Sequence, residues 1–368
     1  MVFRSVSALN GIGPLVSERT HFLIVCATNI RHFSHLPKNV LFLLKFKIMN
    51  RFSLLCLLLV IFPVSCGNPA GKKGQKTTLT IATLRGPSSM GMIRLIDSLE
   101  QEADPDIVVR MVNEPLQVRK MMLDGSADLA VLPTTMAAIV YNKGLDYKLI
   151  AIPVWGTLYL FGEDTTVRQW DDLKNKKVHV MARGMTPDVL FRYLLQKKGI
   201  DPEKDLTLDY RYPTHIDLAN AVASGQALLG VISEPLVSQV MQKNKKVRML
   251  FDLNREWISV QGAPIPQTAL LAKTGLLEDH PQKVEEILAA CERSSLWVNA
   301  NPRSAATLIV KYNILDDPRT AFQSIPGSGL EVVRAGLIMD QIREYLYVFY
   351  TMNPEITGGK MPDENFYY

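Results

Sequence analysis

Two hydrophobic patterns alternate along the chain from about residue 77 onward. Short apolar runs of strand length are followed by turns and then by segments whose apolar residues recur every three to four positions. The first pattern predicts buried strands and the second predicts amphipathic helices. The predicted strands are 77–83, 107–112, 129–132, 147–153, 178–182, 206–210, 229–232, 247–253 and 268–272. Strands that alternate with helices favour an α/β fold built of βαβ units.

The clearest strand–turn–helix unit is the stretch 125–139, GSADLAVLPTTMAAI. An apolar run ends at Pro133, and the threonines that follow are placed to cap the first turn of a helix. The same pattern returns at 225–235, GQALLGVISEP, with four identities or close matches at a constant offset. A second echo relates 79–89 to 178–188, since each is a strand followed by an Arg-Gly turn, a proline and a hydroxyl residue. Two echoes in the same order predict two similar α/β lobes.

The chain passes between the lobes twice, near 155–162 and 260–268, and both crossovers are extended or proline-rich. We therefore expect a ligand cleft between two α/β lobes, with the C-terminal helices packed on the first lobe. Those helices are predicted over 282–299, 302–312 and 330–352, with a loosely packed tail behind them. The predicted domains are 77–157 for lobe 1, 158–261 for lobe 2, 262–352 for the helical second part of lobe 1, and 353–368 for the tail.

Residues 49–66 have the features of an export signal. Arg51 provides a short positive start, 52–62 is an almost unbroken apolar run, and Cys66 follows small residues. The run is short for a membrane span. A cysteine directly after the cleavage point resembles a bacterial lipoprotein signal, which implies an acylated Cys66, although Pro63 replaces the usual leucine. The alternative is a transmembrane anchor with an incidental cysteine.

The segments on either side of this signal contribute no core. Residues 67–76 are rich in Gly, Lys and Pro and predict a flexible tether between a lipid and the first lobe. Residues 1–48 have apolar patches without a regular period, and Met49 stands where a signal peptide would begin. We interpret 1–48 as a disordered upstream extension, with a longer leader as the alternative.

The net charge of +5 is concentrated at the N-terminal end. Residues 1–66 hold seven basic residues and one acid, which leaves 34 basic (41 − 7) and 35 acidic (36 − 1) residues in the remainder. A nearly neutral domain argues against nucleic-acid binding. Cys291 is the cysteine left after the leader, so no disulfide framework is expected, and its helical spacing to Val284, Ile287 and Leu288 predicts a core position.

Candidate ligand contacts lie in the loops that follow four predicted strands, because open α/β sheets bind ligands beyond the carboxyl ends of their strands. Helix N-termini there suit an anion. Arg85 and Arg183, one in each lobe, are candidates to clamp a carboxylate, sulfonate or phosphate, with solvated turn positions as the alternative. The remaining loop candidates, each of which has simple helix capping as its alternative, are Ser88, Ser89, Thr134, Thr135, Gly184 and Thr186.

For two further residues the sequence leaves two possible roles open. Glu234 precedes a proline at a strand end, where it either caps the next helix or accepts a hydrogen bond from an amine or amide of the ligand. Trp155, at the first crossover, is either a flat floor of the cleft or a core residue beneath the hinge. The expected site therefore combines backbone N–H groups, hydroxyls, arginines and one carboxylate.

Catalytic signatures are absent from the sequence. It contains no GxSxG, HExxH or Walker motif and no GxGxxG after the first strand. The histidines of the predicted mature chain, His179, His215 and His280, have no neighbour at metal-ligand spacing, so we expect neither a metal site nor a cofactor. The sequence therefore contains no motif that would indicate a particular catalytic chemistry.

Over residues 77–350 the chain resembles substrate-binding proteins of ABC importers, of the nitrate, sulfonate, taurine and thiamine-precursor group with the type II periplasmic-binding fold. The resemblance is carried by 79–87 (LTIATLRGP), 121–135 (MMLDGSADLAVLPTT), 170–188 (WDDLKNKKVHVMARGMTPD) and 223–235 (ASGQALLGVISEP). It implies hinge closure around a small ligand, with Thr134, Thr135 and Glu234 as ligand neighbours. It also implies delivery to a membrane permease and its ATPase by a monomeric protein held at the membrane surface through Cys66. The rival interpretation is a lyase or biosynthetic enzyme on the same fold.

Overall fold

The computed structural model describes residues 78–103 and 105–368. The predicted signal, Cys66, the tether and the upstream extension lie outside these residues. The strands are β1 Leu79–Leu84, β2 Ile107–Val112, β3 Leu129–Pro133, β4 Tyr147–Trp155, β5 Leu158–Gly162, β6 Lys177–Val180, β7 Thr207–Asp209, β8 Leu229–Ser233, β9 Arg248–Asp252, β10 Pro266–Lys273 and β11 Leu330–Arg334.

Thirteen α-helices connect or cover these strands within the described residues. In the first half they are α1 Pro87–Gly91, α2 Ile93–Leu99, α3 Pro115–Leu123, α4 Thr134–Asn142, α5 Thr186–Lys197 and α6 His215–Ala223. In the second half they are α7 Leu236–Lys243, α8 Leu253–Gln261, α9 Thr274–Asp279, α10 Pro281–Ala300, α11 Pro302–Lys311, α12 Pro318–Ser324 and α13 Met339–Met352. In the described part of the chain, no helix has the length and apolar content needed to span a bilayer.

The strands form two sheets with the same internal plan. The first, which defines lobe 1, has the order β11-β4-β10-β3-β1-β2, and the second, which defines lobe 2, has the order β7-β6-β8-β5-β9. Three strands are parallel in each sheet, and the strand that enters from the other lobe, β10 or β5, runs antiparallel beside them. The predicted two-lobed α/β fold is thus confirmed, although its sheets are mixed rather than purely parallel.

The central strands are buried on both faces, which explains their unbroken apolar sequences. In β3, Leu129 and Val131 face the layer formed by α1, α2 and α10, while Ala130 and Leu132 face the opposite core. Cys291 lies in the first of these layers and is buried, as its spacing predicted. Desolvation raises the pKa of its thiol to about 12, so it stays protonated and packs as an apolar side chain.

The two crossovers are joined to each other. The Gly156 N–H donates to the carbonyl of Ile265 over 2.9 Å, and the Ile265 N–H donates to Oδ1 of Asn254 over 2.9 Å. A Cβ atom on Gly156 would lie 2.1 Å from Asn254, so only glycine permits this approach. Both chain passages between the lobes are therefore held at one point by Asn254 of α8.

Two C-terminal predictions were wrong. The predicted helix over 330–352 is in fact strand β11 followed by α13, because 330–334 pairs with β4 and completes the sheet edge. The tail 353–368 is packed rather than loose. Phe366 is fully buried and contacts Tyr141 at a ring-centroid distance of 5.0 Å, and Tyr367 forms a bridge with Leu149.

Helix α13 contacts both lobes. Its Tyr345 and Phe349 rings lie 5.7 and 6.2 Å from the ring of Trp257, which belongs to α8 beside lobe 2. The same helix also packs against α4 of lobe 1 and α5 of lobe 2. An aromatic cluster therefore connects the C-terminal helix to the second crossover.

Candidate functional site

The loops that follow β1, β3, β6 and β8 face one another across the interface between the lobes. Strands β1 and β3 are parallel neighbours in lobe 1, and β6 and β8 are parallel neighbours in lobe 2, so each lobe presents two adjacent loops. The β3 loop contacts the β6 loop, and the β1 loop contacts the β8 loop. This crossed pairing is the arrangement expected when two similar lobes face each other about an approximate two-fold axis.

The first of these contacts is a hydrogen bond between two threonines. The Oγ1 atoms of Thr135 and Thr186 lie 2.8 Å apart, and both side chains are buried. Thr135 is in the first turn of α4 and Thr186 is the first residue of α5. Because the first-turn N–H groups of a helix have no partner within the helix, two sets of donors converge beside this hydrogen bond.

The second contact lies on the side of the crossovers. Gly86 approaches Pro235, such that a Cβ atom on Gly86 would lie 4.0 Å from the proline Cδ. Nearby, the hydroxyl of Tyr159 donates to the carbonyl of Gly327 over 3.0 Å, which joins β5 of lobe 2 to the 326–328 turn of lobe 1. Gly327 also packs against Glu234, since a Cβ atom there would lie 3.2 Å from Cγ of the glutamate.

Glu234 is buried at this contact with 4% of its surface exposed. Its carboxylate accepts the Ser238 N–H over 3.0 Å and the Ser238 hydroxyl over 2.7 Å. Burial away from water raises the pKa of the carboxyl to about 7, and the two hydrogen bonds from Ser238 only partly offset this increase. Glu234 therefore contacts the first turn of the following helix through Ser238, and its role as a ligand contact stays a prediction.

Two of the remaining hydroxyls of the predicted site, those of Ser89 and Thr134, have backbone partners. Ser89 accepts from the Gly86 N–H over 3.1 Å and donates to the Gly86 carbonyl over 3.0 Å, which closes the first turn of α1. Thr134 donates to the carbonyl of Pro266 over 2.6 Å, and Ser88 is buried beside the same loops. The Ser89 bonds correspond to the capping alternative, whereas Thr134 joins its loop to β10, and a ligand role for these hydroxyls stays a prediction.

The two arginines have partners within their own lobes. Arg85 is exposed, its Nε donates to Asn113 over 3.0 Å, and its guanidinium also contacts the Asn313 carbonyl. Arg183 is exposed and lies over the ring of Tyr210 at 5.4 Å. The structure therefore places the arginines at the rim of their loops, and a two-arginine clamp stays a prediction.

The turn that contains Arg183 and Gly184 is fixed by a buried acid that the sequence analysis did not single out. Gly184 has a φ of 76° and donates its N–H to Asp188 over 2.7 Å. Asp188 also accepts from Arg192 and Tyr210, at 2.8 and 2.6 Å. The sequence feature that could have indicated Asp188 is its position, four residues after Gly184 at the start of a predicted helix. This network sets the position of the α5 N-terminus.

Trp155 is buried at the end of β4, and its Nε1 donates to the Glu331 carbonyl of β11 over 2.9 Å. This placement favours the alternative of a core tryptophan beneath the crossover.

Two buried hydroxyls that the sequence analysis missed, Thr83 and Thr268, lie at the same edge of the lobe 1 sheet, and their Oγ1 atoms have no hydrogen-bond partner. Both fall within apolar runs, which concealed them.

Residues 88–308, more than half of the chain, match the family model described as ABC transporter, phosphonate, periplasmic substrate-binding protein. The chain belongs to this family. Membership in this family of periplasmic substrate-binding proteins implies an extracytoplasmic location. The fold, the crossed loops and the family agree, and the resemblance inferred from the sequence is confirmed.

Individual relatives are distant. The chain is 25% identical over 209 residues to a protein of Bacillus subtilis (strain 168) named putative binding protein YtlA, and the match spans 60% of that relative's length and 55% of this chain. A solved ABC transporter protein from Parabacteroides distasonis has 25% identity and a TM-score of 0.70, covering 79% of this chain and 99% of its own. The aliphatic sulphonate binding protein SsuA of Escherichia coli has 17% identity and a TM-score of 0.61, covering 75% and 87%.

Proposed function

We propose that this protein captures a small anionic or zwitterionic solute between its two lobes and delivers it to an ABC permease and its ATPase. The crossed contact of the four strand-end loops carries the proposal, because a ligand at this point touches both lobes at once. A ligand that contacts both lobes stabilises the closed arrangement and thereby biases a hinge equilibrium. Family membership and the sulphonate-binding neighbour support a small oxyanion as the ligand class.

Within this proposal the N-termini of α4 and α5 bind the oxyanion. Their free N–H groups and positive dipole ends favour negative charge, and Thr135 and Thr186 add hydroxyls at the same place. The proposed contacts from the lobe 1 loops are Ser88, Ser89 and Thr134, and Arg85, Arg183, Gly184 and Trp155 belong to the wider candidate set. The lobes correspond to 77–157 with 262–352, and to 158–261.

Outside the described residues, the proposal includes export and acylation of Cys66, followed by the flexible tether 67–76. Such an anchor holds the protein at the outer surface of the membrane, where a monomer can reach its permease. Radiolabelled palmitate incorporation into the wild type and a Cys66→Ala variant would test this step. Equal labelling of the two proteins would contradict it.

The ligand itself can be recovered directly. A protein that starts at Gly67 would be purified under native conditions and denatured, and the released small molecules would be identified by mass spectrometry. Thermal shift with sulfonates, phosphonates, nitrate, pyrimidines and carboxylates uses the same sample, since a ligand that binds the folded state raises Tm. A substrate that is chemically converted during incubation would instead favour the enzyme alternative.

Delivery needs a separate measurement. The loaded protein should increase the ATPase rate of its permease complex in proteoliposomes, whereas a Thr135→Val, Thr186→Val double variant should need more ligand for the same rate. Because valine retains the shape of threonine but lacks its hydroxyl, the change is confined to hydrogen bonding. Unchanged affinity in the double variant would remove these threonines from the site.

A further inference from the structure

The contact around Glu234 is built from both lobes. Glu234, Tyr159 and Ser238 belong to lobe 2, whereas the 326–328 turn belongs to lobe 1. A Cβ atom on Gly327 would lie 3.0 Å from the Tyr159 hydroxyl and 3.3 Å from Oε1 of Glu234. The glutamate has 4% of its surface exposed. Lobe 1 therefore forms part of the cover that separates this carboxyl from water.

Glu234 differs from the other buried carboxylates of the described residues, Asp97 and Asp188. Asp97 accepts from Lys311 at 2.7 Å, and Asp188 accepts from Arg192 at 2.8 Å. Both hydrogen bonds of Glu234 come instead from the neutral Ser238, which lies in the same lobe. A buried carboxylate without a cation is costly to ionise. The cost of ionising Glu234 therefore depends on how completely the two lobes cover it.

On the lobe 2 side, β5 brings one titratable neighbour to Glu234, which is Tyr159. Burial, followed by Asp252 and by Glu234 itself, raises the pKa of this phenol well above its usual range. Asp252 accepts the N–H groups that begin α8. Helix α7 contributes Ser238, which does not titrate. Tyr159 is therefore a neutral neighbour of Glu234 up to at least pH 8.5.

On the lobe 1 side, the elements that approach Glu234 are neutral at the contact. The 326–328 turn has the sequence PGS, and the β1 loop approaches Pro235 through Gly86. Arg85 of that loop is exposed, and its guanidinium has other partners within lobe 1. Helix α12 contacts α7 through a hydrogen bond between two glutamine side chains. Within the described chain, Glu234 is thus the group at this contact whose charge changes between pH 4.5 and 8.5.

Opening of the lobes changes the surroundings of this carboxyl. The turn and the β1 loop move away with lobe 1, while Ser238 stays beside Glu234 in lobe 2. Because burial is the largest cause of the raised pKa, entry of water returns the pKa from about 7 toward the ordinary 4.5. Between these values the closed protein holds a proton that the open protein has released. Low pH therefore favours closure, and this contribution is lost as the pH rises through about 7.

We infer that closure of the two lobes is coupled to protonation of Glu234, so that the protein is a pH-sensitive switch between closed and open arrangements. This inference rests on the proposed function, because the same closure captures the solute. Capture is favoured in mildly acidic surroundings, and release is favoured as they become alkaline. The coupling follows from the cover that lobe 1 places over the acid and needs no contact between Glu234 and the solute.

Fluorescence energy transfer between one dye on each lobe measures the ratio of closed to open molecules. Leu116 and Ile216 are exposed in the first turns of α3 and α6, which follow the edge strands β2 and β7, so cysteines at these positions report the separation of the lobes. The protein that starts at Gly67 keeps every described strand and helix, and its buried Cys291 is protected from labelling. Refolding removes bound solute, so the measurement needs no ligand.

With the wild-type Glu234, the closed-to-open ratio should fall about 10-fold between pH 6 and pH 8.5, the change expected when the pKa is about 7 in the closed protein and 4.5 in the open one. Glu234→Gln is neutral at every pH, so its ratio should change less than about two-fold. The exposed Glu278→Gln control should follow the wild type. A wild-type ratio that does not change with pH, or a Glu234→Gln ratio that changes as the wild type does, would overturn the inference.

Tyr159→Phe distinguishes the proton from the contact itself. This variant loses the hydrogen bond to the Gly327 carbonyl but keeps Glu234, so its ratio should be lower at each pH and still fall about 10-fold. Loss of the pH dependence in this variant contradicts the inference. If pH has no effect on closure but a solute of the panel raises Tm, the inference fails and the proposed function stands. If no solute binds and none is released on denaturation, the proposed function itself fails.

Discussion

The buried carboxyl of Glu234 predicts an unusual dependence of stability on pH. Burial raises its pKa from an ordinary 4.5 to about 7 in the folded protein. Between pH 4.5 and about 7, the folded state therefore holds a proton that the unfolded chain has already released. The stabilising contribution of this group is fully present below pH 4.5 and is lost as the pH rises through about 7. Above pH 7 the folded protein carries an ionised acid in a poorly solvated place.

The size of the effect follows from the shift. The difference between the two pKa values, about 2.5, corresponds to about 3 kcal/mol of unfolding free energy. At pH 8.5, where Glu234 is ionised, the wild type is less stable by this amount than the same protein with a neutral side chain would be. Glu234→Gln removes this cost but replaces the oxygen that accepts the Ser238 N–H, which costs about 1 kcal/mol. The variant should therefore gain about 2 kcal/mol at pH 8.5, or roughly 5 °C in Tm.

Thermal unfolding followed by circular dichroism between pH 4 and 8.5 measures this directly, in protein freed of ligand by refolding. The Tm difference between Glu234→Gln and the wild type should be positive at pH 8.5, shrink through pH 7 and reach zero or become negative near pH 4.5. Glu278→Gln, at an exposed position, should show no such trend. A difference that does not change with pH, or a loss of stability at pH 8.5, would refute the reasoning.

Three other variants test the architecture. Gly156→Ala places a Cβ atom 2.1 Å from Asn254, so it should lower the unfolding free energy in urea by about 2–4 kcal/mol, whereas Gly275→Ala, with open space around it, should not. In Thr135→Val the buried hydroxyl of Thr186 loses its partner, which should lower the unfolding free energy by about 1–2 kcal/mol in the same assay. A variant as stable as the wild type would contradict this prediction. Phe366→Ala should lower stability by about 3–5 kcal/mol because the ring is fully buried, and a loosely packed tail would instead leave Tm unchanged.

Much of the fold could be predicted because the local patterns and the long-range contacts agree. The repeated strand–turn–helix units gave the lobes, and their equivalent strands β3 and β8 have bounds that differ by a constant 100 residues. Central strands read as continuous apolar runs because both of their faces are covered. In these segments sequence periodicity and tertiary environment require the same structure, so the prediction holds.

Prediction failed where tertiary contacts decided between similar local patterns. Residues 330–334, LEVVR, fit a helix face as well as a strand, and pairing with β4 selects the strand. The tail is polar over most of its length, but its last aromatic residues dock against α4 and β4. In each case the partner is distant in sequence, so no local window contains the information.

The candidate site shows the same limit more sharply. Sequence reasoning found the four loops because each follows a strand, but it could not pair them. Glu234 contacts Gly327, and Thr135 contacts Thr186, across separations that depend on how the lobes meet. The arginines, chosen for their charge, lie exposed, while the crossed contacts consist of hydroxyls, glycines, a proline and one acid. Charge in a loop is visible in sequence, whereas the direction of a side chain is not.

The repeat allows the groups on the two sides of the proposed cleft to be compared position by position. At the constant offset of 100 that relates β3 to β8, Glu234 of lobe 2 corresponds to Thr134 of lobe 1. Thr134 donates its hydroxyl to the backbone of β10, whereas Glu234 brings a buried carboxylate to the interface. Two identical lobes would present the same groups to both ends of a ligand and so could not distinguish them. If the proposed function is correct, this difference gives the two sides of the cleft unlike groups, a hydroxyl in lobe 1 and an acid in lobe 2.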